Sequence, residues 1–205
     1  MIAIIDYEMG NIGSVYNMLK KIGVKSIITK EKSVIEDAEK LIIPGVGAFD
    51  SGMQQLGKYD LISLIKKKVE IDKVPVLGIC LGAQLMLQSS EEGVEPGLSL
   101  LKGSVKRFDF SKMDRNFPIP SMGWNQVYLN KKSILTDNLP LEPRFYFVHS
   151  YHFDMNDAAD ILMTSEYGYN FTSAFEKGNI AGVQFHPEKS HKFGMALLSN
   201  FSKSF

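Results

Sequence analysis

The first ninety residues alternate short apolar runs with segments of helical periodicity. The runs have the length of strands and lie at residues 2–5, 26–29, 41–43 and 74–79. Between them, residues 12–22 and 60–69 space apolar side chains three and four positions apart, as on one face of a helix. Strands that are apolar on both faces are typical of parallel sheets covered by helices. The alternation therefore predicts an α/β fold with a mostly parallel central sheet flanked by helices.

After Gly97 the pattern changes to short strand-like segments separated by turns. We predict further strands at residues 104–108, 124–129, 145–148, 161–164, 172–175 and 180–185. Such spacing favours hairpins, here an antiparallel C-terminal extension of the same sheet. Residues 190–201 have the pattern of a closing helix. No linker divides the 205 residues, so we expect one domain over 1–205.

Charge and cysteine content exclude several function classes. The 23 Lys and Arg residues balance 23 Asp and Glu residues, so no net charge favours nucleic acid or an anionic membrane. The lysine run at residues 66–68 is interpreted as a solvated helix end, where cations suit the helix dipole. The longest nearly apolar stretch, residues 74–83, is far shorter than a membrane-spanning helix. One cysteine excludes an intrachain disulfide and a Cys-based zinc site. We expect a cytoplasmic chain with no cofactor, metal, nucleic-acid partner or membrane.

The single cysteine, Cys80, lies in the run Gly78-Ile79-Cys80-Leu81-Gly82 between a predicted strand and a helical pattern. This G-x-C-x-G pattern is the thiol version of a nucleophile elbow. Small flanking residues let the strand and the helix approach each other. A following helix N-terminus favours a thiolate and offers N–H donors to an oxyanion. The alternative is a small buried core residue at an ordinary turn.

A candidate base follows the last predicted strand, in Phe185-His186-Pro187-Glu188. In extended backbone, residues two apart point the same way, so Glu188 is placed to orient the His186 imidazole towards a thiol. The alternative is a histidine bonded to backbone beside an ordinary turn acid. His152 and His191 show no such pattern, and His191 is expected to be exposed.

The loop Pro44-Gly45-Val46-Gly47 follows the third strand, at the same sheet edge as the end of the Cys80 strand. Glycines there let backbone N–H groups turn inward, as an oxyanion requires. By itself such a loop is an ordinary turn.

Together the three motifs resemble the class I (triad) glutamine amidotransferase family, which carries P-G-x-G, G-I-C-x-G-x-Q and F-H-P-E in this order. The resemblance implies Cys80 as nucleophile, His186 as general base and acid, and Glu188 as its orienter. It also implies that the N–H groups of Val46 and Leu81 form the oxyanion hole. The implied glutamine-binding residues are Gly47, Gln84 and the backbone around His149, Ser150 and Tyr151.

Narrower features, including Met122-Gly123-Trp124-Asn125, are similar to the glutaminase subunits of imidazole glycerol phosphate synthases. That resemblance implies a heterodimer with a (βα)₈-barrel cyclase, glutamine as substrate, and ammonia delivered to form imidazole glycerol phosphate and AICAR. The interface residues it implies are Asn11, Trp124, Tyr146 and Lys189. Ser121 and Glu8 depart from the usual His and Gly in segments near that interface.

Two other functions remain open at this point. One is a paralogous glutaminase that feeds ammonia to an amidotransferase acting on a surface-polysaccharide sugar, which the departures at Ser121 and Glu8 allow. The other is a DJ-1-like or catalytically inactive binding subunit. The intact His186 and Glu188 pair argues against an inactive subunit. Gln84, together with Pro44, Val46 and Gly47, argues against the DJ-1 group.

Overall fold

The computed structural model describes residues 1–111, 117–203 and 205. Its strands are β1 (Ile2–Ile5), β2 (Ser26–Thr29), β3 (Lys40–Gly45), β4 (Val76–Cys80), β5 (Ser89–Ser90), β6 (Gly103–Arg107), β7 (Ser121–Gln126), β8 (Tyr128–Leu129), β9 (Arg144–His149), β10 (Tyr151–Met155), β11 (Ile161–Tyr167), β12 (Tyr169–Lys177) and β13 (Ile180–Val183). Its α-helices are α1 (Ile12–Lys21), α2 (Lys32–Glu36), α3 (Phe49–Lys58), α4 (Ile62–Lys66), α5 (Leu81–Leu85) and α6 (His191–Lys203). Short 3₁₀ turns lie at Ile134–Thr136, Ala158–Asp160 and Pro187–Lys189.

The main sheet runs in the order β2-β1-β3-β4-β13-β12-β10-β6-β5, with β11 and β8 continuing from β12. The first five strands of this order are mutually parallel. From β13 through β12 and β10 to β6 each successive pair is antiparallel, and the short β5 pairs parallel with β6. The predicted fold class is therefore confirmed: a mostly parallel central sheet with an antiparallel extension. β1 and β2 also have their predicted bounds.

Successive residues of the central strands point into two different cores. In β1, Ala3 and Ile5 pack into the core beneath α3, α4 and α5, whereas Ile2 and Ile4 pack into the core beneath α1 and α6. These four strand residues are at most 4% exposed. Helices on both faces explain why the strands carry continuous apolar runs.

Three strands of the C-terminal half differ from the predicted pairing. β13 lies parallel to β4, with Gly182 opposite Gly78 and Val183 opposite Ile79, so it belongs to the parallel part of the sheet. β7 and β9 form a separate antiparallel pair rather than extending the main sheet. Short apolar runs do not encode strand direction, and only the tertiary pairing fixes it.

The lysine run at residues 66–68 is only partly solvated, which corrects the interpretation of all three as a solvated helix end. The side chain of Lys68 is buried, and its ammonium donates to the carbonyl oxygen of Glu36 at 2.6 Å and lies 3.9 Å from Asp72. The helix predicted over residues 60–69 begins at Ile62, and its second half, Lys67–Ile71, is π-helical. This wider turn places Lys68 and Val69 on the buried side.

α3 is not among the predicted helices, because its glycines, Gly52 and Gly57, are poor helix formers. The structure forms it nonetheless, since Phe49, Met53 and Leu56 bury one face of it against the sheet. Within the described ranges, no helix is long and apolar enough to cross a bilayer.

Candidate active site

Cys80 lies at a sharp turn between the central strand β4 and the short helix α5. Its backbone has a φ of 53°, a left-handed conformation that costs a non-glycine residue about 1–3 kcal/mol and clusters at functional sites. Leu81 begins the helix directly after it. The chain therefore forms the strand–turn–helix that the G-x-C-x-G pattern predicts.

Gly78 and Gly82 allow strand and helix to pack closely around this turn. A Cβ on Gly78 would lie 2.5 Å from the Cα of Ala83, and a Cβ on Gly82 would overlap the carbonyl oxygen of Ile43 in β3. α5 itself is only five residues long, so its dipole is smaller than that of a long helix. Stabilisation of a thiolate therefore depends on other donors around the sulfur.

A cavity of about 170 Å³ opens beside Cys80. Its lining includes every residue that the sequence predicts for binding the oxyanion and the substrate: Val46, Gly47, Leu81, Gln84, His149, Ser150 and Tyr151. Glu92, Pro120 and Val148 complete its lining and were not predicted. Glu92 accepts a hydrogen bond of 2.9 Å from the backbone N–H of Phe49, and it brings a carboxylate to the cavity wall. No local motif marks Glu92, because it reaches the cavity from the segment after β5.

The loop of Val46 and Gly47 lies beside the Cys80 turn because β3 and β4 end together. Gly45 pairs with Cys80 in the parallel register, so Val46 follows at the same edge. The buried hydroxyl of Tyr7 donates to the carbonyl oxygen of Pro44 at 2.5 Å. Burial, and the nearby charge of Cys80, raise the pKa of Tyr7, so this hydroxyl keeps its proton and remains a donor. A side chain at Gly45 would collide with it.

His186 and Glu188 form a buried pair behind Cys80. His186 Nδ1 lies 2.7 Å from Glu188 Oε1, and both side chains are at most 3% exposed. The backbone N–H of His186 donates to Tyr146 O at 2.9 Å. Ser190 Oγ donates to the carbonyl oxygen of His186 at 2.6 Å and accepts from the N–H of Tyr146 at 3.0 Å. The imidazole is therefore held by β9 as well as by its own loop.

The charge state of His186 is set by its two acidic neighbours. Burial alone disfavours the imidazolium, but hydrogen bonding to Cys80 and Glu188, together with their charge, outweighs burial and raises the pKa of His186 from 6.5 to about 10. Nε2 has no hydrogen-bond partner of ordinary geometry among the described residues, which leaves this nitrogen for Cys80, the neighbour that most raises the pKa of His186. A charged imidazolium beside a thiolate is a pair suited to nucleophilic attack followed by proton delivery.

His149 has the opposite charge state. Burial lowers its pKa from 6.5 to about 3, so the ring is neutral. Nδ1 lies 2.6 Å from the carbonyl oxygen of Tyr151, which makes Nδ1 the donor and leaves Nε2 with a lone pair. His149 thus presents an uncharged ring at the cavity wall.

Gln184 is a buried polar residue that no sequence motif above singles out. It is 0% exposed, its Oε1 accepts from Gln84 Nε2 at 3.0 Å, and its Nε2 donates to Cys80 Sγ at 3.6 Å. The signal that points to it is its position two residues before His186, on the same side of extended backbone.

The predicted interface residues Trp124, Tyr146 and Lys189 meet on one surface. Trp124 pairs with Tyr146 across β7 and β9, their rings lie 6.5 Å apart, and Lys189 Nζ lies 5.7 Å from the centre of the Tyr146 ring. Trp124 is 48% exposed, and its indole stacks on His191 at 5.7 Å. Asn11 is exposed just before α1, which packs against the turn Pro187–Lys189.

Two residues singled out by the sequence lie elsewhere. Ser121 is buried, opposite His149 in the β7–β9 register, so its hydroxyl is not part of the exposed surface around Trp124. His152 lies outside the cavity, 2.8 Å from the Tyr169 hydroxyl. His191 is exposed, as predicted.

The family model described as class I glutamine amidotransferase matches residues 3–204 of the chain. Among curated proteins, the chain is 55% identical over 203 residues to the "Imidazole glycerol phosphate synthase subunit HisH 2" of Methanococcus maripaludis, covering 99% of both chains. It is 49% identical to the protein of the same name from Pseudomonas aeruginosa, covering 98% of both chains. It is 42% identical to the "Imidazole glycerol phosphate synthase subunit HisH" of Leptospira borgpetersenii, covering 98% of this chain and 99% of that one.

Solved structures share the fold at lower identity. A crystal structure described as a glutamine amidotransferase superposes with a TM-score of 0.72 at 19% identity, covering 98% of this chain and 97% of that one. The glutaminase domain of Trypanosoma brucei CTPS superposes with a TM-score of 0.64 at 17% identity, covering 100% of this chain and 94% of that one.

Proposed function

The chain belongs to the class I glutamine amidotransferase family, and we propose that it is the glutaminase subunit of an imidazole glycerol phosphate synthase. The observation that carries the proposal is a cavity of about 170 Å³ with the only cysteine at its wall and a buried His–Glu pair behind that cysteine. Near-full-length identity to subunits of that name supports the particular synthase.

The reaction is acyl transfer in two halves. The Cys80 thiolate attacks the side-chain amide carbon of glutamine, and His186, as imidazolium, gives its proton to the amide nitrogen as the C–N bond breaks and ammonia leaves. Neutral His186 then takes a proton from water, whose oxygen attacks the γ-glutamyl thioester, and the C–S bond breaks to release glutamate. Glu188 accepts from Nδ1 and keeps the ring turned towards the sulfur.

The cavity supports glutamine as the acyl donor by size and by charge. It is smaller than the about 300–1,000 Å³ of pockets for drug-sized ligands, so it suits a single amino acid. We assign the α-ammonium group to Glu92, the carboxylate to backbone donors around His149, Ser150 and Tyr151, and the amide to Gln84. The N–H groups of Val46 and Leu81 are assigned to the oxyanion.

A second chain must use the ammonia, because we assign no acceptor site among the residues that the structure describes. We assign that role to a (βα)₈-barrel cyclase, which closes the imidazole ring of imidazole glycerol phosphate and releases AICAR. The surface of Trp124, Tyr146 and Lys189 is the proposed docking region, with Asn11 at its margin. We place the heterodimer in the cytoplasm, where thiols such as Cys80 stay reduced.

An assay of glutamine hydrolysis tests the proposal. The full chain is measured alone, with a cyclase, and with the cyclase plus its nucleotide substrate. Because free ammonia would be lost, turnover is expected to be slow alone and fast only with the loaded partner. Cys80→Ala in the same complex is the control, and continued hydrolysis by that variant would show that the nucleophile is misassigned.

The ammonia acceptor is tested genetically. Deletion of this chain in its source organism is expected to cause a requirement for histidine that the intact gene relieves. Growth without histidine, together with a changed surface polysaccharide, would instead support the sugar-modifying role that Ser121 and Glu8 left open.

A further inference from the structure

Both polar atoms of the Gln184 side-chain amide contact residues at the proposed glutaminase site. Its Oε1 accepts from Gln84 Nε2 at 3.0 Å, and its Nε2 lies 3.6 Å from Cys80 Sγ. The residue is 0% exposed, and burying an amide is costly unless its polar atoms are paired. One of the two contacts that satisfy this amide is with Gln84, and the other is with Cys80.

The Gln84 contact decides which end of the amide faces the sulfur. An amide donates only through its nitrogen and accepts only through its oxygen. Since Gln84 offers its Nε2 as donor, the oxygen of Gln184 must face Gln84, and the NH₂ group must face Cys80. The backbone fixes this position further, because the N–H of Gln184 donates to Ser173 O at 2.9 Å.

We propose that Gln184 is a positioning residue that donates a hydrogen bond to Cys80 Sγ, holding the thiolate in its attacking orientation. This inference rests on the proposed glutaminase function. The amide does not titrate, so its nitrogen remains a donor throughout the cycle. When the thioester C–S bond breaks in the second half-reaction, the electron pair returns to sulfur, and the same N–H stabilises that charge.

Gln184 is a donor to the sulfur that does not titrate, a role that the surrounding ionisable groups do not fill. His186, whose pKa Cys80 raises, carries the moving proton, and Glu188 acts through His186. Tyr7 points its proton at Pro44, His149 is neutral, and Glu92 brings negative charge to the cavity. Gln184 is thus an uncharged donor to the sulfur beside a proton-transferring one.

The test uses the single cysteine as its own reporter. The rate of Cys80 alkylation by iodoacetamide is measured against pH for the full chain and for Gln184→Leu. Loss of a donor to the charged form is expected to move the pH of half-maximal rate upward by about one unit. Gln184→Glu keeps the shape but places a carboxylate near the sulfur, and it is expected to shift the profile at least as far.

Asn179→Leu is the matched control, since it also removes an amide with two hydrogen bonds, at the other end of β13. Asn179 Nδ2 donates to Val69 O and Val74 O at 2.9 and 3.0 Å, far from the sulfur in sequence and at the opposite strand end. Its replacement is expected to lower the melting temperature and leave the alkylation profile in place.

Glutamine hydrolysis by the complex separates positioning from substrate binding. Gln184→Leu is expected to lower kcat about tenfold at pH 7, with recovery at higher pH as the thiolate fraction is restored. Unchanged kcat with raised KM would overturn the proposal, because Gln184 would then serve only to hold Gln84.

The remaining outcomes are also decisive. Unshifted alkylation in folded Gln184→Glu overturns the proposal, even where Gln184→Leu does not fold. In the wild-type chain, the Gln184 side-chain amide signals in nitrogen NMR are expected to change with pH along with Cys80 alkylation, and pH-independent signals would also overturn it. A wild-type complex that fails to hydrolyse glutamine removes the proposed function, whereas the alkylation profile still decides whether Gln184 donates to the sulfur.

Discussion

The Tyr7 hydroxyl donates a 2.5 Å hydrogen bond to the carbonyl oxygen of Pro44, tying the segment after β1 to the loop that lines the cavity. Tyr7 is 0% exposed, so neither partner can turn to water instead. This contact fixes the start of Pro44-Gly45-Val46-Gly47 while Val46, with 47% exposure, stays at the surface.

Tyr7→Phe is expected to lower the free energy of unfolding by about 1–3 kcal/mol, because the Pro44 carbonyl is left buried without its donor. Without this hydrogen bond, the loop Pro44-Gly45-Val46-Gly47 is less firmly held, so binding of the loaded cyclase should activate glutamine turnover less. The ratio of glutamine turnover with loaded cyclase to turnover alone is expected to fall. Tyr128→Phe on the exposed β8 is the control, and an unchanged ratio in Tyr7→Phe would show that this contact does not regulate the loop.

Cys80→Gly and Cys80→Ala are both expected to lose glutamine hydrolysis but to differ in stability. At a φ of 53°, glycine avoids the backbone strain that alanine retains. The free energy of unfolding should therefore be about 1 kcal/mol higher for the glycine variant than for the alanine variant. Urea denaturation of the two variants measures the difference. Greater stability of the alanine variant would mean that the elbow stores no backbone strain.

Glu188→Gln is expected to reduce glutamine turnover by about 10²-fold, because it removes a carboxylate that favours the proton-donating imidazolium. The stability effect has a definite pH dependence. The pKa of His186 is raised in the folded state to about 10 from 6.5, so its stabilisation is complete below pH 6.5 and is lost as pH rises through about 10. The difference in the free energy of unfolding between wild type and Glu188→Gln should therefore decrease as the pH rises from 6.5 to about 10.

The exposed Glu166→Gln variant controls for the loss of a charge elsewhere. Unfolding free energies at pH 6 and 10.5 give the comparison. A gap that is constant between these two values would contradict the assigned role of Glu188.

His149→Asn is expected to make the chain less sensitive to acid. The pKa of His149 is about 3 when folded and about 6.5 when unfolded, so stability is full above pH 6.5 and falls as pH drops towards 3. Each pH unit within this window costs about 1.4 kcal/mol per histidine. The asparagine amide keeps a donor for Tyr151 O but does not titrate. Melting temperatures between pH 7 and 4.5 should fall more steeply for the wild type, and parallel slopes would exclude His149 as the cause.

Gly82→Ala and Gly13→Ala are expected to have opposite effects. A Cβ at Gly82 would overlap Ile43 O, whereas a Cβ at Gly13 meets nothing within 4 Å. Gly82→Ala should destabilise the fold, while Gly13→Ala, inside α1, should stabilise it by about 0.5–1 kcal/mol. Thermal unfolding of the pair checks both signs. A neutral Gly82→Ala would mean that α5 shifts without cost.

Much of the fold and site followed from local pattern. The strand–Gly–Cys–Gly turn and the two-residue spacing of His186 and Glu188 place their side chains through short-range geometry, which a sequence encodes directly. The parallel half of the sheet followed from strands apolar on both faces. The same kind of pattern did not reveal that β13 is parallel, since apolar runs carry no direction.

The sequence by itself determined the α/β class, the elbow at Cys80 and the adjacency of His186 and Glu188, because each depends on residues within a few positions of one another. Only the tertiary structure decided that Gln184 donates to Cys80 across the sheet, that Glu92 reaches the cavity, and that Lys68 is buried against Glu36. These contacts join distant segments, and strand order, register and helix packing bring them together. The physical difference is separation along the chain. Local backbone geometry depends on neighbouring residues and recurs wherever the motif occurs, whereas a contact between distant residues forms only when the strands and helices have packed together.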